Sequence, residues 1–251
     1  FTSEPHSEVS EKYHFIPTID VIEEIRANNW YPVNVAVANV RDEEKEGFQQ
    51  HCVRFRHFED LLNPKDNAVE LLLFNSHDRS KAFSISAGIF RFVCANGLVI
   101  SDSVFETYKI KHLGERDNDV ANAVANITAI KPKLMEKINK LESITLNQSE
   151  KESFAKYSIP LRFEEHLEIN HNDLLIPHRM QDYKDDLYTV LNVIQENLIR
   201  GNISGINKDT KRRFTSKEIT SISKDTEVNK GIWDIAEKIA SIKDSNYLVA
   251  A

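Results

Sequence analysis

The residues best suited to a chemical role lie in a basic segment in the last quarter of the chain. Between Asn197 and Lys217, six Lys and Arg residues stand against one carboxylate, Asp209, which gives a local charge of +5 in a protein of net charge −7. Cations of this kind bind phosphates, and a neighbouring aromatic ring such as Phe214 offers a surface on which a base can stack. We therefore predict that residues 201–215 form a flexible segment that binds nucleic acid; the alternative is a solvated basic loop without a ligand.

A second pair of cations lies on a predicted strand, residues 51–58, whose side chains alternate between two faces. Arg54 and Arg56 fall on the same face and project together, either as a solvated surface or as a ridge that faces a ligand. On an acidic protein, such cations suit a single strand in a narrow groove better than the coating of duplex DNA. The residues assigned to the predicted nucleic-acid site are Arg54, Arg56, Arg200, Lys208, Lys211, Arg212, Arg213 and Phe214.

The longest apolar region, residues 88–100, contains one charged side chain, Arg91. A guanidinium among apolar neighbours needs a carboxylate partner or an anion bound in a cleft. Asp78 and Asp102 are the nearest carboxylates in the sequence, and we favour a structural ion pair over an anion site. The residues of this predicted structural or anion-binding site are Asn75, His77, Asp78 and Arg91.

No pattern in the sequence predicts a reaction. Cys52 and Cys94 are the only two cysteines, and neither they nor the histidines show the short spacings of metal sites. The sequence has no glycine-rich phosphate loop and no Ser or Cys in a nucleophile-elbow motif. We therefore expect no catalytic residues, no cofactor and no metal, and thus a protein that is not an enzyme.

The elements that position these residues follow from the spacing of apolar side chains. In the first half, strands are predicted at residues 33–40, 51–58, 69–74, 82–87 and 104–112. A helix that Thr18 caps precedes them. Residues 88–97 favour a short helix that ends at Gly97, although Asn96-Gly97 would equally suit a hairpin turn.

The second half shows helical periodicity. Helices are predicted from residue 119, from residue 149, over residues 185–200 and over residues 227–243. Pro132 lacks an amide donor, so the first of these helices should bend or break near Lys131. A capping box at residues 149–152 should open the second, and Gly201 should end the third.

Strands in the first half and helices in the second predict an α+β fold, in which a twisted antiparallel sheet has helices packed on one face. We expect a single domain over residues 1–251; the alternative is a β-rich part over residues 13–115 and a helical part over residues 116–251. The apolar runs are much shorter than a membrane span, and the N-terminus lacks the regions of a signal peptide. A cytoplasmic protein without a membrane partner is therefore expected.

Four blocks of the sequence, in a fixed order, are shared with a known family. They read YHFIPT at 13–18, LFNSHD at 73–78, GIFR at 88–91 with VCANGLV at 93–99, and IQENLIRG at 194–201 with SG at 204–205. Through these blocks nearly the whole chain resembles the YfjQ/YafZ-type proteins of cryptic prophages, part of a domain-of-unknown-function family of phages and plasmids. Arg79 departs from the family pattern, which usually has glycine there. The resemblance implies a mobile-element origin and a distant likeness to phage single-strand-annealing proteins, but no activity.

Two functions follow from these observations. We predict a non-enzymatic nucleic-acid-binding protein of a mobile genetic element, with single-stranded DNA as partner and an annealing-like homo-oligomer as one expected form. The alternative is a protein-binding accessory factor of a prophage or plasmid, which inhibits a host defence system or neutralises a toxin. Its partner would be a host or phage protein, and its acidic surface would mimic DNA.

Overall fold

The computed structural model describes residues 15–40, 42–78, 80–91, 96–99, 108–109 and 117–250, together with residues 2, 4 and 6. An antiparallel sheet in the N-terminal half and mainly helices in the C-terminal half confirm the predicted α+β class. The chain divides into two compact units, residues 1–132 and 133–251. The boundary falls within one continuous helix, and the expectation of a single domain stays a prediction. Among the described helices, none has the length and apolar character needed to cross a membrane.

The first unit is built around a sheet of six strands. Its first four strands form an antiparallel meander, as predicted: β1 (Trp30–Val37), β2 (His51–His57), β3 (Asn67–Asn75) and β4 (Ser84–Arg91). Two shorter strands, β5 (Asn96–Val99) and β6 (Tyr108–Lys109), both pair with β4. All nine residues of β3 are buried, which agrees with the predicted central position of this strand.

The helix α1 (Thr18–Ala27) precedes the sheet and contacts β1. The prediction that Thr18 caps it is wrong, because Pro17 occupies the cap position and makes no side-chain cap bond. Thr18 is instead fully buried, and its hydroxyl lies within hydrogen-bond distance of two histidines of the sheet. A short helix, α2 (Phe58–Leu62), follows β2.

The prediction of a short helix over residues 88–97 is also wrong. Residues 88–91 continue β4 and pair with β3, from Gly88 opposite Glu70 to Arg91 opposite Asn67. Asn96 and Gly97 pair with β4 as part of β5, so they are not the turn residues of a hairpin either. The edge of β3 offers hydrogen-bond partners along its length, and this non-local pairing outweighs the weak local preference for a helix. Residues 92–95, and most of the predicted strand 104–112, lie outside the described residues.

Four longer helices occupy the rest of the chain: α3 (Asp117–Ser143), α4 (Gln148–Ser158), α5 (Leu187–Arg200) and α6 (Ile222–Ala250). The helix α3 runs without a break through Pro132, so of the predicted bend or break the break is wrong and the bend stays a prediction. The proline removes only one helical hydrogen bond, and Ile127 and Leu134 on either side of it are buried. The capping box of α4 begins at Asn147 rather than Ser149, because the Asn147 side chain and Glu150 bond each other's backbone amides.

The second unit also contains a small antiparallel sheet that the sequence did not predict. Its strands are β7 (Leu167–Ile169), β8 (Ser204–Asn207) and β9 (Arg213–Thr215), in that order. Strands β8 and β9 form a hairpin within residues 201–215, which the sequence predicted to be flexible. This hairpin holds most of the cations of the predicted nucleic-acid site.

Candidate nucleic-acid interface

The turn of the β8–β9 hairpin is held by one asparagine. The Asn207 side-chain oxygen accepts hydrogen bonds from the backbone amides of Asp209, at 3.0 Å, and Thr210, at 2.9 Å. The backbone amide of Asn207 donates to the carbonyl of Arg212 at 2.9 Å. Lys211 has a φ of +56°, which a turn residue between two paired strands can adopt. The backbone of the basic segment is therefore an ordered turn.

Four exposed cations lie on the β8–β9 hairpin: Lys208, Lys211, Arg212 and Arg213. We call the hairpin with these four residues the basic hairpin. Lys208 is tied to the segment before β7, because its Nζ donates to the carbonyl of Glu165 at 2.8 Å. In the described part of the chain, Lys211, Arg212 and Arg213 form no ion pair. Their charge is therefore available to a ligand.

Phe214 lies beside these cations, half-buried on the opposite face of β9 from Arg213. It pairs across the hairpin with Gly205, which in turn pairs with Ile169 of β7. A Cβ atom at Gly205 would lie 2.6 Å from Phe214 Cζ and 2.7 Å from Ile169 Cδ1. The phenyl ring therefore rests over the glycine, and only glycine leaves room for it there.

A cavity of about 800 Å³ adjoins this small sheet. Its apolar lining residues are Ile169, Gly205, Ile206 and Phe214. Its polar lining residues are Glu168, Asn170, His171, Asp173, Ser204, Arg213 and Thr215. The cavity thus combines a phenyl ring, an imidazole, a guanidinium, an amide, two hydroxyls and two carboxylates within a volume typical of ligand sites.

Arg54 and Arg56 share one face of β2, as the alternation predicted, but they are bound to a carboxylate. Arg54 Nε lies 2.6 Å from Glu70 Oε2, and an Arg56 terminal nitrogen lies 2.7 Å from Glu70 Oε1. Both guanidiniums also lie over the ring of Phe90, at 4.4 and 4.9 Å from its centroid. Glu70 is 1% exposed, so this cluster is part of the protein interior and the carboxylate offsets one of its two positive charges.

Arg200 belongs to a comparable cluster at the end of α5. Its guanidinium lies 2.7 Å from Glu196 Oε1. Arg179 binds both oxygens of Glu196 at 2.7 Å and also reaches Asp182 at 3.0 Å. The hydrogen bonds that Arg179 donates to the Glu196 carboxylate raise the pKa of Arg179. Arg200 is thus half-exposed but ion-paired to a buried carboxylate.

Two further side chains tie the end of α5 to neighbouring segments of the second unit. The Asn197 amide donates to the carbonyls of Leu174 and Ile176 at 3.0 Å each. The Arg162 guanidinium donates to the carbonyls of Leu198 and Lys217, and so ties the end of α5 to the segment after β9. Sequence reasoning missed these positioning roles, although the shared block at residues 194–201 marked the region.

The predicted structural or anion site in the first unit is partly assembled. Asn75 Nδ2 donates to Thr18 Oγ1 at 3.1 Å, and the same hydroxyl lies 3.2 Å from His77 Nε2 and 2.8 Å from His51 Nε2. His51 was not among the predicted residues. Burial lowers the pKa of His51, against the opposing effect of its hydrogen bond to the Gln49 carbonyl.

Of the remaining two residues of that predicted site, Asp78 follows His77 and acts electrostatically on His51, whereas Arg91 lies at the opposite end of the β3–β4 ladder from Asn75. Burial acts to raise the pKa of Asp78, but hydrogen bonds from Ser80 and Ser76 outweigh it, and the pKa is lowered. Arg91 is buried at the end of β4, and Asp102, one of its two predicted partners, lies outside the described residues. Among the described side chains, no three of His, Cys, Asp or Glu form a group that could hold a metal ion.

Comparison with known proteins assigns the chain to a family. The model of DUF932, a domain of unknown function, matches residues 5–233. The chain is 31% identical over 240 residues to the UPF0380 protein YfjQ of Escherichia coli strain K12, and equally to the UPF0380 protein YafZ of the same strain. Each alignment covers 95% of this chain and 86% of the relative. No solved structure matches the chain.

Proposed function

This chain belongs to the DUF932 family, and we propose that it is a non-enzymatic protein that binds single-stranded nucleic acid through the basic hairpin. One observation supports this most directly. Lys211, Arg212 and Arg213 are exposed and, among the described residues, have no carboxylate partner, whereas Arg54, Arg56 and Arg200 are ion-paired to buried carboxylates. The hairpin is the place where phosphates find uncompensated cations on an ordered backbone.

The small footprint of the basic hairpin favours a single strand over a duplex. Three cations neutralise few phosphates, so the electrostatic contribution alone gives weak binding to any polyanion. A single strand can add base stacking on Phe214, a contribution that paired and stacked bases of a duplex cannot make without being opened. The acidic net charge of −7 further disfavours an extended duplex, which would lie along more of the protein surface.

The proposal predicts how strongly the affinity for a single strand depends on salt concentration. For single strands the logarithmic slope of affinity against salt is about 0.7 per phosphate neutralised, so three cations give a slope of about 2. Affinity should then fall roughly 20-fold between 50 and 200 mM salt. Fluorescence anisotropy with a labelled single-stranded oligonucleotide, and with its duplex for comparison, measures this slope directly.

A matched pair of variants tests the assignment to the hairpin. The triple variant Lys211→Ala, Arg212→Ala, Arg213→Ala should lose most single-strand affinity and nearly all of the salt slope. The control removes three exposed lysines of the same unit that have no ion pair in the described residues: Lys133, Lys184 and Lys238, each replaced by Ala. Both variants change the net charge equally, so an equal loss in both would assign binding to overall charge and exclude the hairpin.

The alternative, a protein-binding accessory factor, draws on a different part of the molecule. In the described part of the sheet, β1 has no strand on its outer side, and its Val35 and Val37 are 50% and 49% exposed. An edge strand with exposed apolar side chains can add a strand from a partner protein. Absence of oligonucleotide binding at any salt concentration would favour this second function.

A further inference from the structure

The carboxylates of the cavity on the small sheet limit what can occupy it. Glu168 and Asp173 line the cavity together with Arg213 and Phe214. A phosphate in contact with either carboxylate would be repelled, so the phosphate of a bound nucleotide must contact Arg213 and avoid Glu168, which lies on the same face of the small sheet as Arg213. A ligand group that faces the carboxylates must donate hydrogen bonds, because an ionised carboxylate only accepts them.

Asp173 is the better placed of the two carboxylates. Asn170 Nδ2 donates to Asp173 Oδ1 at 3.2 Å, while the Asn170 oxygen accepts from the amide of Asn172 at 3.2 Å. In the described residues no group donates to the second oxygen of Asp173. Asp173 is half-buried, whereas Glu168 is exposed, and a partly desolvated carboxylate makes the stronger hydrogen bond.

Phe214 defines the orientation in which a flat ligand can enter. Its ring rests over Gly205 at one wall of the cavity, and aromatic side chains in such positions stack on bases. The cavity volume of about 800 Å³ exceeds that of one base and suits a nucleotide with part of its neighbour. Lys211 and Arg212 are exposed on the adjoining turn, which favours a continuous strand over a free nucleotide as the occupant.

Resting on the proposed function, we propose that this cavity receives a base of the bound strand and prefers bases with an exocyclic amino group, which Asp173 recognises. Cytosine, adenine and guanine each have such an amino group, and it donates hydrogen bonds. Thymine presents a carbonyl oxygen where cytosine has its amino group, and that oxygen repels a carboxylate. The protein therefore binds cytosine-containing strands more tightly than thymine-containing strands.

Two oligonucleotides, one with and one without the exocyclic amino group, test the inference. Anisotropy titrations of the full chain with labelled 12-mers of deoxycytidine and of thymidine, at pH 8 and 50 mM salt, should show roughly tenfold tighter binding of the cytosine strand. A deoxyuridine 12-mer, which lacks the thymine methyl group, should bind like the thymidine strand. The cytosine and thymine strands have the same length and charge, so phosphate contacts cancel in the ratio of their two affinities.

Variants then assign the preference to one residue. Asp173→Asn replaces a carboxylate with an amide that can donate to the thymine carbonyl, so the cytosine preference should fall to about one or reverse. Asp209→Asn, an exposed carboxylate on the hairpin turn outside the cavity lining, removes the same charge and should keep the preference. Glu168→Gln provides a second cavity variant should Asp173→Asn lower the melting temperature.

The outcomes separate this inference from the proposed function. Equal affinities of the wild-type protein for the cytosine and thymine strands, with the expected salt slope, would overturn the base preference and leave nucleic-acid binding intact. A preference that Asp209→Asn removes, or that both cavity variants leave unchanged, would likewise overturn the role of the cavity. Binding of neither strand at any salt would overturn both proposals.

Discussion

The hydrogen bonds around Thr18 predict that the first unit loses stability when His51 takes up a proton. The carbonyl of Gln49 accepts from His51 Nδ1 at 3.1 Å, so Nδ1 carries the proton of the neutral ring. His51 Nε2 must then accept the Thr18 hydroxyl proton at 2.8 Å, and the hydroxyl oxygen accepts from Asn75 and His77. If His51 Nε2 were protonated, three donors would point at the Thr18 hydroxyl oxygen. The hydroxyl proton of Thr18 would then have no acceptor.

The sign and size of the effect follow from linkage. Burial lowers the pKa of His51 below the ordinary histidine value of 6.5, so the folded protein binds fewer protons than the unfolded chain near that pH. The stabilisation is therefore fully present above pH 6.5 and is lost as the pH falls below it. If His51 stays neutral in the folded state, lowering the pH from 7.5 to 5.5 reduces the free energy of unfolding by about 1.4 kcal/mol.

Urea unfolding followed by tryptophan fluorescence measures this loss in the unit that contains the network. Trp30 is buried in the first unit and Trp233 in the second, so a Trp233→Phe background leaves Trp30 as the reporter. His51→Gln in that background keeps an oxygen that can accept the Thr18 hydroxyl proton but cannot titrate. The difference in unfolding free energy between the two proteins should shrink on acidification, by at most about 1.4 kcal/mol. A constant difference between pH 7.5 and 5.5 would refute the reasoning.

Two further predictions concern residues that hold the structure around the cations. Glu70→Gln should lower the free energy of unfolding, measured by urea titration, by about 3 kcal/mol, because it leaves two largely buried arginines without their carboxylate. As a control, Glu59→Gln removes an exposed carboxylate and should change the free energy of unfolding by less than about 0.5 kcal/mol. Gly201→Ala should cost about 2 kcal/mol or more in thermal unfolding, since φ there is +77° and the new Cβ would lie 2.6 Å from the Lys217 carbonyl oxygen; an unchanged melting temperature would contradict this.

Local sequence patterns predicted the elements of this fold better than they predicted the partners of its charged residues. Alternation along β2 correctly placed Arg54 and Arg56 on one face, because alternation is a property of the strand alone. Their carboxylate, Glu70, is set by the register between β2 and β3, where Arg56 pairs directly with Glu70. No pattern within either strand contains that register, so the sequence alone could not show that these two charges are compensated.

For the basic hairpin, the sequence pattern predicted the wrong local structure. Residues 201–215 looked flexible because they are polar and contain two glycines. The structure orders them through contacts that are distant in sequence: pairing of β8 with β7, and the Arg162 bridge to the Lys217 carbonyl. Gly201, correctly predicted to end α5, also brings the backbone of the entering strand against that same carbonyl. Order in this segment therefore depends on tertiary contacts and not on its own composition.

These two differences change what a binding measurement should find. The sequence alone assigns seven cations to the nucleic-acid site, which would give a salt slope of about 5 for a single strand. In the structure, three of those seven are ion-paired to Glu70 or Glu196 and Lys208 donates to a backbone carbonyl, so three remain and the slope should be about 2. A slope near 5 would mean that the ion-paired arginines leave their carboxylates to bind phosphates, at a cost that buried Glu70 and Glu196 make large. The salt slope therefore tests the arrangement of charges in the folded protein as well as its function.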